Sequence, residues 1–163
     1  MDEVFLADQG FMLVSGGQAG ADRAGLDWAI ENGIRYGGWC PRGRKAEDGV
    51  LAGCYLLQET PTANYLQRTE WNVRDSDATL IFTLSDKLDG GSKRTGAFAD
   101  TLGKPWLHVR PGVHPKFVAR FLTRYAVKAL NVAGKRESSA PGIGVLVREV
   151  LTCAISKQEG QDL

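Results

Sequence analysis

The sequence of 163 residues carries a net charge of +1, with 43% hydrophobic and 24% charged residues. This size and composition predict one globular domain over residues 1–163 with a core at about 11–155, and the near-neutral charge argues against a nucleic-acid or acidic-membrane partner. No apolar run approaches the roughly 20 residues that cross a bilayer, so we expect no membrane partner.

The segment FMLVSGGQAGADRAGLDWAI at 11–30 predicts a short strand, a glycine turn and a helix, in that order. Four apolar residues open the segment, three glycines follow, and small and apolar residues then recur at helical spacing from Ala21. Glycine lets a ligand approach the main chain closely, and the helix adds the positive end of its dipole. We therefore expect an anion at this turn.

Strands and helices alternate through the rest of the chain. Strands are predicted at 78–84, 104–110 and 129–134, with weaker signals at 36–40 and 55–60, and helices at 62–77, 95–102, 114–129 and about 140–156. Thr62 is the expected N-cap of the second helix, and Ser138 or Ser139 that of the last, which has Pro141 in its first turn. Apolar strands between helices predict an α/β fold, a three-layer sandwich with a mostly parallel sheet and helices on both faces.

Three loops of this fold combine small residues with cations, at 15–23, 89–95 and 134–142. Right-handed crossovers bring the strand-to-helix loops to one edge of a parallel sheet, where ligands bind near the point at which strand order reverses. We therefore predict a pocket for an anionic, phosphorylated small ligand. The predicted binding residues are Ser15, Gly16, Gly17, Gly20, Asp22, Gly90, Gly91, Ser92, Lys93, Arg94, Thr95, Arg136, Ser138 and Ser139.

For several charged residues the sequence is consistent with either a structural role or a binding role. Asp22 lies in the first turn of the first helix, where it either complements the dipole or bonds to a ligand. Arg68, Glu70 and Arg74 on the second helix fit either exposed ion pairs or a position near the ligand.

Two standard nucleotide motifs are missing from the sequence. There is no Gly-Lys-Ser/Thr run, and the glycines of 15–20 do not have the G-x-G-x-x-G spacing. Classical dinucleotide binding is therefore disfavoured.

The cysteines and histidines predict no metal site. The three cysteines are odd in number and share no metal-ligand spacing, and only two histidines are present. Free thiols in a reducing cytoplasm are the simplest interpretation, and the acidic N-terminus does not resemble a signal peptide. Cys40 stands beside a basic loop but has no histidine nearby in sequence, so we do not expect it to be a nucleophile.

Six segments carry a family resemblance: SGGQAGADRAGLDWAIENGI, GGWCPRGRKAEDG, YLQRTEWNVRDSDATLIF, GGSKRT, GKPWLHV and NVAGKRESSAPGIG. Together they resemble the putative molybdenum carrier family, a branch of the Rossmann-like superfamily that contains the lysine-decarboxylase-like (LOG) proteins, abbreviated SLOG. The resemblance implies a Rossmann-like fold, self-association and a ligand site at the glycine loops. It further implies binding of molybdenum cofactor (molybdopterin), an anionic pterin phosphate, by a carrier or a nucleotide-type ligand sensor.

The same superfamily suggests an alternative function. Its phosphoribohydrolases release a base from a nucleoside monophosphate and are similar at GGSKRT, but they have a P-G-G-x-G-T-x-x-E motif whose glutamate supports the reaction. Here Asp89 replaces the proline, and no glutamate follows within the next turns. The resemblance therefore keeps the phosphate-binding part and leaves a nucleotide-processing hydrolase as the weaker hypothesis.

Self-association has a second argument in the side chains. Trp71 and the aromatic residues of 117–125 give the helices more large apolar side chains than one sheet face readily covers. Packing between copies would bury them, so we expect a homodimer or homotetramer.

Overall fold

Five parallel strands form the central sheet of the computed structural model, which describes residues 3–160. The strands, in chain order, are β1 Phe5–Ala7, β2 Met12–Val14, β3 Arg35–Gly37, β4 Trp39–Cys40, β5 Lys45–Ala46, β6 Gly49–Val50, β7 Gln58–Glu59, β8 Ala78–Phe82, β9 Trp106–Val109, β10 Ala129–Gly134 and β11 Ile155–Lys157. The helices are α1 Ala21–Glu31, α2 Tyr65–Arg74, α3 Gly90–Thr101, α4 Pro115–Arg124 and α5 Ile143–Ala154.

The central sheet has the order β3-β2-β10-β8-β9 and confirms the predicted α/β sandwich. Helices α1, α4 and α5 pack together, and α2 packs against α3. Every residue of β8 is buried, as expected for a strand covered on both faces. Leu80 and Phe82 join the main hydrophobic cluster with α1, α4 and α5, whereas Ile81 between them is equally buried and lies outside that cluster.

The strand order identifies the sheet as a permuted Rossmann arrangement. Numbered along the chain, the five strands lie in the order 2-1-5-3-4. If the last of them, β10, is counted first, this becomes 3-2-1-4-5, the order of a doubly wound Rossmann sheet. The order reverses between β10 and β8, so the carboxyl ends of these two strands are the expected place for a ligand.

Short strands complete the fold at its periphery. β1 pairs in parallel with β11, β4 pairs with β7, and β5 and β6 form an antiparallel hairpin. The expected strand at 36–40 is two strands, because Gly38 between them has a positive φ and lies against the backbone of Ser15. β1 and β11 were not predicted from the sequence.

The helix starts differ from the sequence prediction. α2 begins at Tyr65 rather than near Thr62, because the side chain of Asn64 accepts the N–H of Leu66 at 2.9 Å and caps the helix. The last helix begins at Ile143 after an N-cap glycine, so Pro141 precedes it and neither Ser138 nor Ser139 caps it.

The glycine segment 89–95 is helical rather than a loop. α3 begins at Gly90, directly after Asp89, so six of these seven residues form its first turns. The true connection is the segment 83–89 between β8 and α3. Among residues 3–160, no helix combines the length and apolar character needed to cross a membrane.

Candidate functional site

A cleft of about 630 Å³ lies at the carboxyl ends of β2, β10 and β8. Its walls come from the loop after β2, the loop after β10, the N-terminal half of α2 and the first turns of α3. The size is that of a small-molecule site. The cleft coincides with the switch point at which the strand order reverses, as predicted for this fold.

The N-terminus of α3 faces the cleft with N–H groups that have no acceptor among residues 3–160. The first N–H bond within this helix comes from Lys93 to the carbonyl of Asp89 at 3.2 Å, so the N–H groups of Gly90, Gly91 and Ser92 precede the ladder. The Asp89 side chain does not cap the helix. A Cβ at Gly90 or Gly91 would meet no atom within 4 Å, so both glycines border open space. Together these groups form a site suited to an anion.

Two buried polar atoms on the wall of the cleft have no hydrogen-bond partner among the described residues. They are Oγ of Ser92 and Nε2 of Gln18, whose residues are only 4% and 5% exposed. The amide orientation of Gln18 is fixed by its oxygen, which accepts the N–H groups of Ala19 at 3.1 Å and Glu47 at 2.8 Å. Since a buried polar group without a partner is costly, these atoms indicate groups that a ligand can satisfy.

A buried ion pair forms the floor of the cleft beneath the first loop. Nη1 of Arg68 donates to Oδ2 of Asp22 at 3.3 Å and to the carbonyl of Gly16 at 3.0 Å. A Cβ at Gly16 would lie 2.4 Å from Cδ of Arg68, so the glycine makes room for the guanidinium. Nε of Arg68 donates to the carbonyl of Tyr65 at 3.3 Å. Arg68 thus ties α2 to the first loop and to α1.

Burial shifts both partners of this pair away from their charged forms. Burial raises the pKa of the Asp22 carboxyl, and the Arg68 guanidinium and the N–H of Gln18 partly offset the shift. Burial likewise lowers the pKa of Arg68, against the attraction of Asp22. An arginine stays protonated in proteins, so the carboxyl is the group whose charge depends on this environment.

Cationic side chains outnumber carboxylates on the wall of the cleft. Arg68, Arg94, Lys135 and Arg136 line it, against the single carboxylate of Asp22 among the described lining residues. Lys135 is paired with Asp89. The ring of Tyr65 has three cations near it: Lys45 at 4.5 Å, Arg136 at 4.8 Å and Arg68 at 5.3 Å from its centroid. The cleft therefore favours a negatively charged ligand.

Ten of the fourteen predicted binding residues line this one cleft: Gly16, Asp22, Gly90, Gly91, Ser92, Arg94, Thr95, Arg136, Ser138 and Ser139. Ser15, Gly17, Gly20 and Lys93 are not among its lining residues. Ser15 is buried and donates to the carbonyl of Asp22 at 2.8 Å, while Lys93 is exposed on α3. Gly17 packs against Leu51, and Gly20 against the backbone of 135–137.

The first loop is less open to an anion than its glycines suggest, because several of its N–H groups already have acceptors. Gly17 donates to Oγ of Ser15 at 3.3 Å, and Gln18 donates to Oδ2 of Asp22 at 3.3 Å. Ala21 donates to the carbonyl of Lys135 at 3.1 Å. The strand-turn-helix motif at 11–30 is therefore held largely by hydrogen bonds within the protein, whereas the first three N–H groups of α3 have no acceptor among residues 3–160.

Two hydroxyl groups expected to face a ligand have other partners. Thr95 donates to the carbonyl of Gly91 at 2.9 Å, and Ser138 donates to Oε2 of Glu47 at 2.6 Å. Ser92 is the hydroxyl at this end of α3 whose hydrogen-bonding capacity is unused among residues 3–160.

Eight polar residues of the wall were not among the predicted binding residues: Gln18, Asn64, Tyr65, Arg68, Thr69, Asn72, Asn131 and Lys135. For Arg68 the sequence had left a position near the ligand open, and the structure places it on the wall. One signal was available on α2, where Tyr65, Arg68, Thr69 and Asn72 follow helical spacing and form a polar stripe. Polar stripes usually face solvent, and this one faces the cleft.

The cysteines are all free thiols, and none lines the cleft. Cys40 is buried, and burial raises the pKa of its thiol, against the effect expected from the nearby basic loop. Within the described part of the chain, no three His, Cys, Asp or Glu residues are grouped as metal ligands.

Comparison with known proteins agrees with this geometry. The family model of the circularly permutated YpsA SLOG family matches residues 13–155. The crystal structure of a putative molybdenum carrier protein from Syntrophus aciditrophicus SB is 39% identical, with a TM-score of 0.83 over 94% of this chain and 96% of that one. Among curated proteins, no relative matches this chain.

Proposed function

Since the chain belongs to the circularly permutated YpsA SLOG family, we propose that it is a carrier or sensor of a phosphorylated or otherwise anionic small molecule. The binding site is the cleft at the carboxyl ends of β8 and β10. Its role is binding and release of this ligand rather than a chemical reaction on it.

The observation that carries this proposal is the N-terminus of α3. It brings together the free N–H groups of Gly90, Gly91 and Ser92, the unpartnered Oγ of Ser92 and the positive end of the helix dipole. Arg94 lines the cleft on the same helix and forms no ion pair within residues 3–160. A phosphate oxygen finds both hydrogen-bond donors and an opposite charge there.

The specific candidate for the ligand is molybdenum cofactor, carried as cargo. The similar crystal structure is of a putative molybdenum carrier protein. The cofactor is an anionic pterin phosphate, and the open space at Gly90 and Gly91 fits the approach of its phosphate to the main chain. In this proposal the chain's own residues hold the phosphate, and the cleft accommodates the pterin.

The hydrolase hypothesis finds no support in the cleft. When the P-G-G-x-G-T-x-x-E motif is aligned with Asp89 in the proline position, its glutamate falls at Ala97. The whole of α3 carries no glutamate. Among the described lining residues, Asp22 supplies the carboxylate, and Arg68 and the N–H of Gln18 already bind its Oδ2. We therefore do not propose phosphoribohydrolase activity.

Calorimetric titration of wild type and Arg94→Ala with a pterin phosphate and with a nucleoside monophosphate tests the proposal. A charge-assisted hydrogen bond contributes about 1.5–3 kcal/mol, so Arg94→Ala weakens binding roughly 10- to 100-fold at about 1.4 kcal/mol per decade. The matched control is Arg35→Ala, because Arg35 is exposed at the amino end of β3, on the opposite edge of the sheet.

The outcomes distinguish whether Arg94 takes part in binding from whether the cleft binds such a ligand at all. Equal affinity of wild type and Arg94→Ala removes Arg94 from the site. If wild type binds neither ligand, nor molybdenum cofactor, the proposed function is wrong.

A further inference from the structure

Gln18 and Ser92 offer unsatisfied donors from two different walls of the same cleft. Gln18 belongs to the loop after β2, and Ser92 to the first turn of α3, which follows β8. Both residues are more than nine-tenths buried and line the cleft. We propose that Gln18 recognises a neutral hydrogen-bond acceptor on the part of the ligand remote from its phosphate, while Ser92 recognises the phosphate. This inference rests on the proposed function.

The sheet topology sets the expected separation of the two walls that carry these donors. β10 lies between β2 and β8, so the carboxyl ends of β2 and β8 are two strand spacings, or about 10 Å, apart. We expect the donors on the segments that follow these strands to be separated by a comparable distance, which orthophosphate is too small to span. A ligand that satisfies both groups is longer, with its anionic end at α3 and an acceptor near the first loop.

The hydrogen bonds of Gln18 determine which kind of group it selects. Its amide oxygen is occupied by the N–H groups of Ala19 and Glu47, so only the Nε2 donor is left for a ligand. Ring carbonyls and unprotonated ring nitrogens are acceptors of this kind, and both occur in pterins and in nucleobases. The ligand class is therefore a phosphorylated nitrogen heterocycle with an acceptor on its ring.

A comparison of three proteins and two kinds of ligand tests this inference. Binding to wild type, Gln18→Met and Ser92→Ala is measured for ribose 5-phosphate, which has no heterocycle, and for guanosine 5′-monophosphate and a pterin phosphate, which have one. We expect Gln18→Met to weaken only the two heterocyclic ligands, by about tenfold, and Ser92→Ala to weaken all three by about tenfold. The heterocyclic ligand that binds wild type more tightly then indicates whether the natural ligand is a nucleotide or a pterin.

Two further variants serve as an alternative substitution and as a control. Gln18→Glu keeps an oxygen acceptor for the N–H groups of Ala19 and Glu47 but lacks the Nε2 donor, so it serves if Gln18→Met does not fold. Because the negative charge of this glutamate weakens the binding of all anionic ligands, the quantity to compare is the ratio of the affinity for guanosine 5′-monophosphate to that for ribose 5-phosphate. Gln58→Met is the matched control, since Gln58 is exposed on β7 and outside the cleft.

Each result has one meaning. A fall of about tenfold in that ratio for the Gln18 variants, with no fall for Gln58→Met, supports the inference. If the ratio is unchanged in both Gln18 variants while wild type binds the ligands, Gln18 does not recognise the heterocycle, and the proposed function stands. If wild type binds none of the three ligands, the inference fails, and the proposed function fails with it only if molybdenum cofactor does not bind either.

Discussion

Arg68→Met is expected to destabilise the protein by removing one member of the buried pair beneath the cleft. Arg68 is 6% exposed and donates to Asp22, Gly16 and Tyr65. Methionine approximates the length of the arginine side chain but removes its charge. Among residues 3–160, the Asp22 carboxylate then keeps the hydrogen bond from the N–H of Gln18 and has no ion-pair partner. The change in the free energy of unfolding therefore reports the cost of an unpaired buried charge rather than the loss of a surface contact.

The size of the effect follows from the burial of the pair. Removing one partner of a buried ion pair costs about 3–5 kcal/mol. For a domain of this length, each kcal/mol lowers Tm by about 2–4 °C, so the Tm of Arg68→Met is expected to fall by about 6–20 °C. The control is Arg74→Met on the same helix, because Arg74 pairs with Asp75 on the exposed surface, where such pairs contribute about 0–1 kcal/mol.

The loss depends on pH with a definite sign. Burial already raises the pKa of Asp22 above its ordinary value of 3.8, and removing Arg68 raises it further, leaving Arg23 and Arg136 as the remaining cations that act on it. A group with a raised folded-state pKa binds more protons in the folded state, so stability falls as pH increases above the unfolded value. The loss of stability of Arg68→Met relative to wild type is therefore expected to be smaller near pH 4 than at pH 7.

Thermal and urea unfolding of wild type, Arg68→Met and Arg74→Met at the two pH values measure these quantities. If the two variants lose the same small amount of stability, the buried pair does not have the energetics described. A deficit of Arg68→Met that grows on acidification contradicts the assignment of its cause to Asp22.

Two further predictions concern packing. Gly20→Ala is expected to lower stability by about 2 kcal/mol or more, because φ at Gly20 is +106° and a Cβ would lie 2.5 Å from backbone atoms of 135–137. Gly43→Ala is its control in thermal unfolding, with φ +82° and no atom within 4 Å of the Cβ, and equal losses argue against a clash at Gly20. We also predict a homodimer through α4, where Phe117 is 47% exposed. Light scattering at micromolar concentration should show dimers in wild type and monomers in Phe117→Glu, and a monomeric wild type is the contrary result.

Much of the fold follows from local patterns in the sequence. The apolar run of β8 and the strand at 129–134 are recognisable because central parallel strands are buried on both faces. β1 and β11 carry no such signal, since each has three residues and the pairing joins positions about 150 residues apart. The two consecutive glycines of 90–91 predict a turn because glycine is a poor helix former, yet they occupy the first two positions of α3.

Of the candidate site, only the location could be predicted from the sequence. Topology places the loops after parallel strands at one edge, and ten predicted residues do line one cleft. Sequence cannot say which hydrogen-bond groups the protein itself occupies. Ser138 and Thr95 have partners, whereas Gln18, which carries no obvious signal, has an unpartnered nitrogen. These differences depend on contacts between distant segments, such as the one between Glu47 and Ser138.

The glycines of the two motifs differ in what surrounds them, and this difference is why we propose that the anion binds at α3. At Gly16 and Gly20 the space that a side chain would need is filled by Arg68 and by the backbone of 135–137. At Gly90 and Gly91 no atom lies within 4 Å of the position that a Cβ would take. A glycine that serves internal packing leaves no room for a ligand, whereas one that borders open space beside free N–H groups does. The two glycine motifs look alike in sequence, but the first builds the floor of the cleft and the second is the place where a phosphate can reach the main chain.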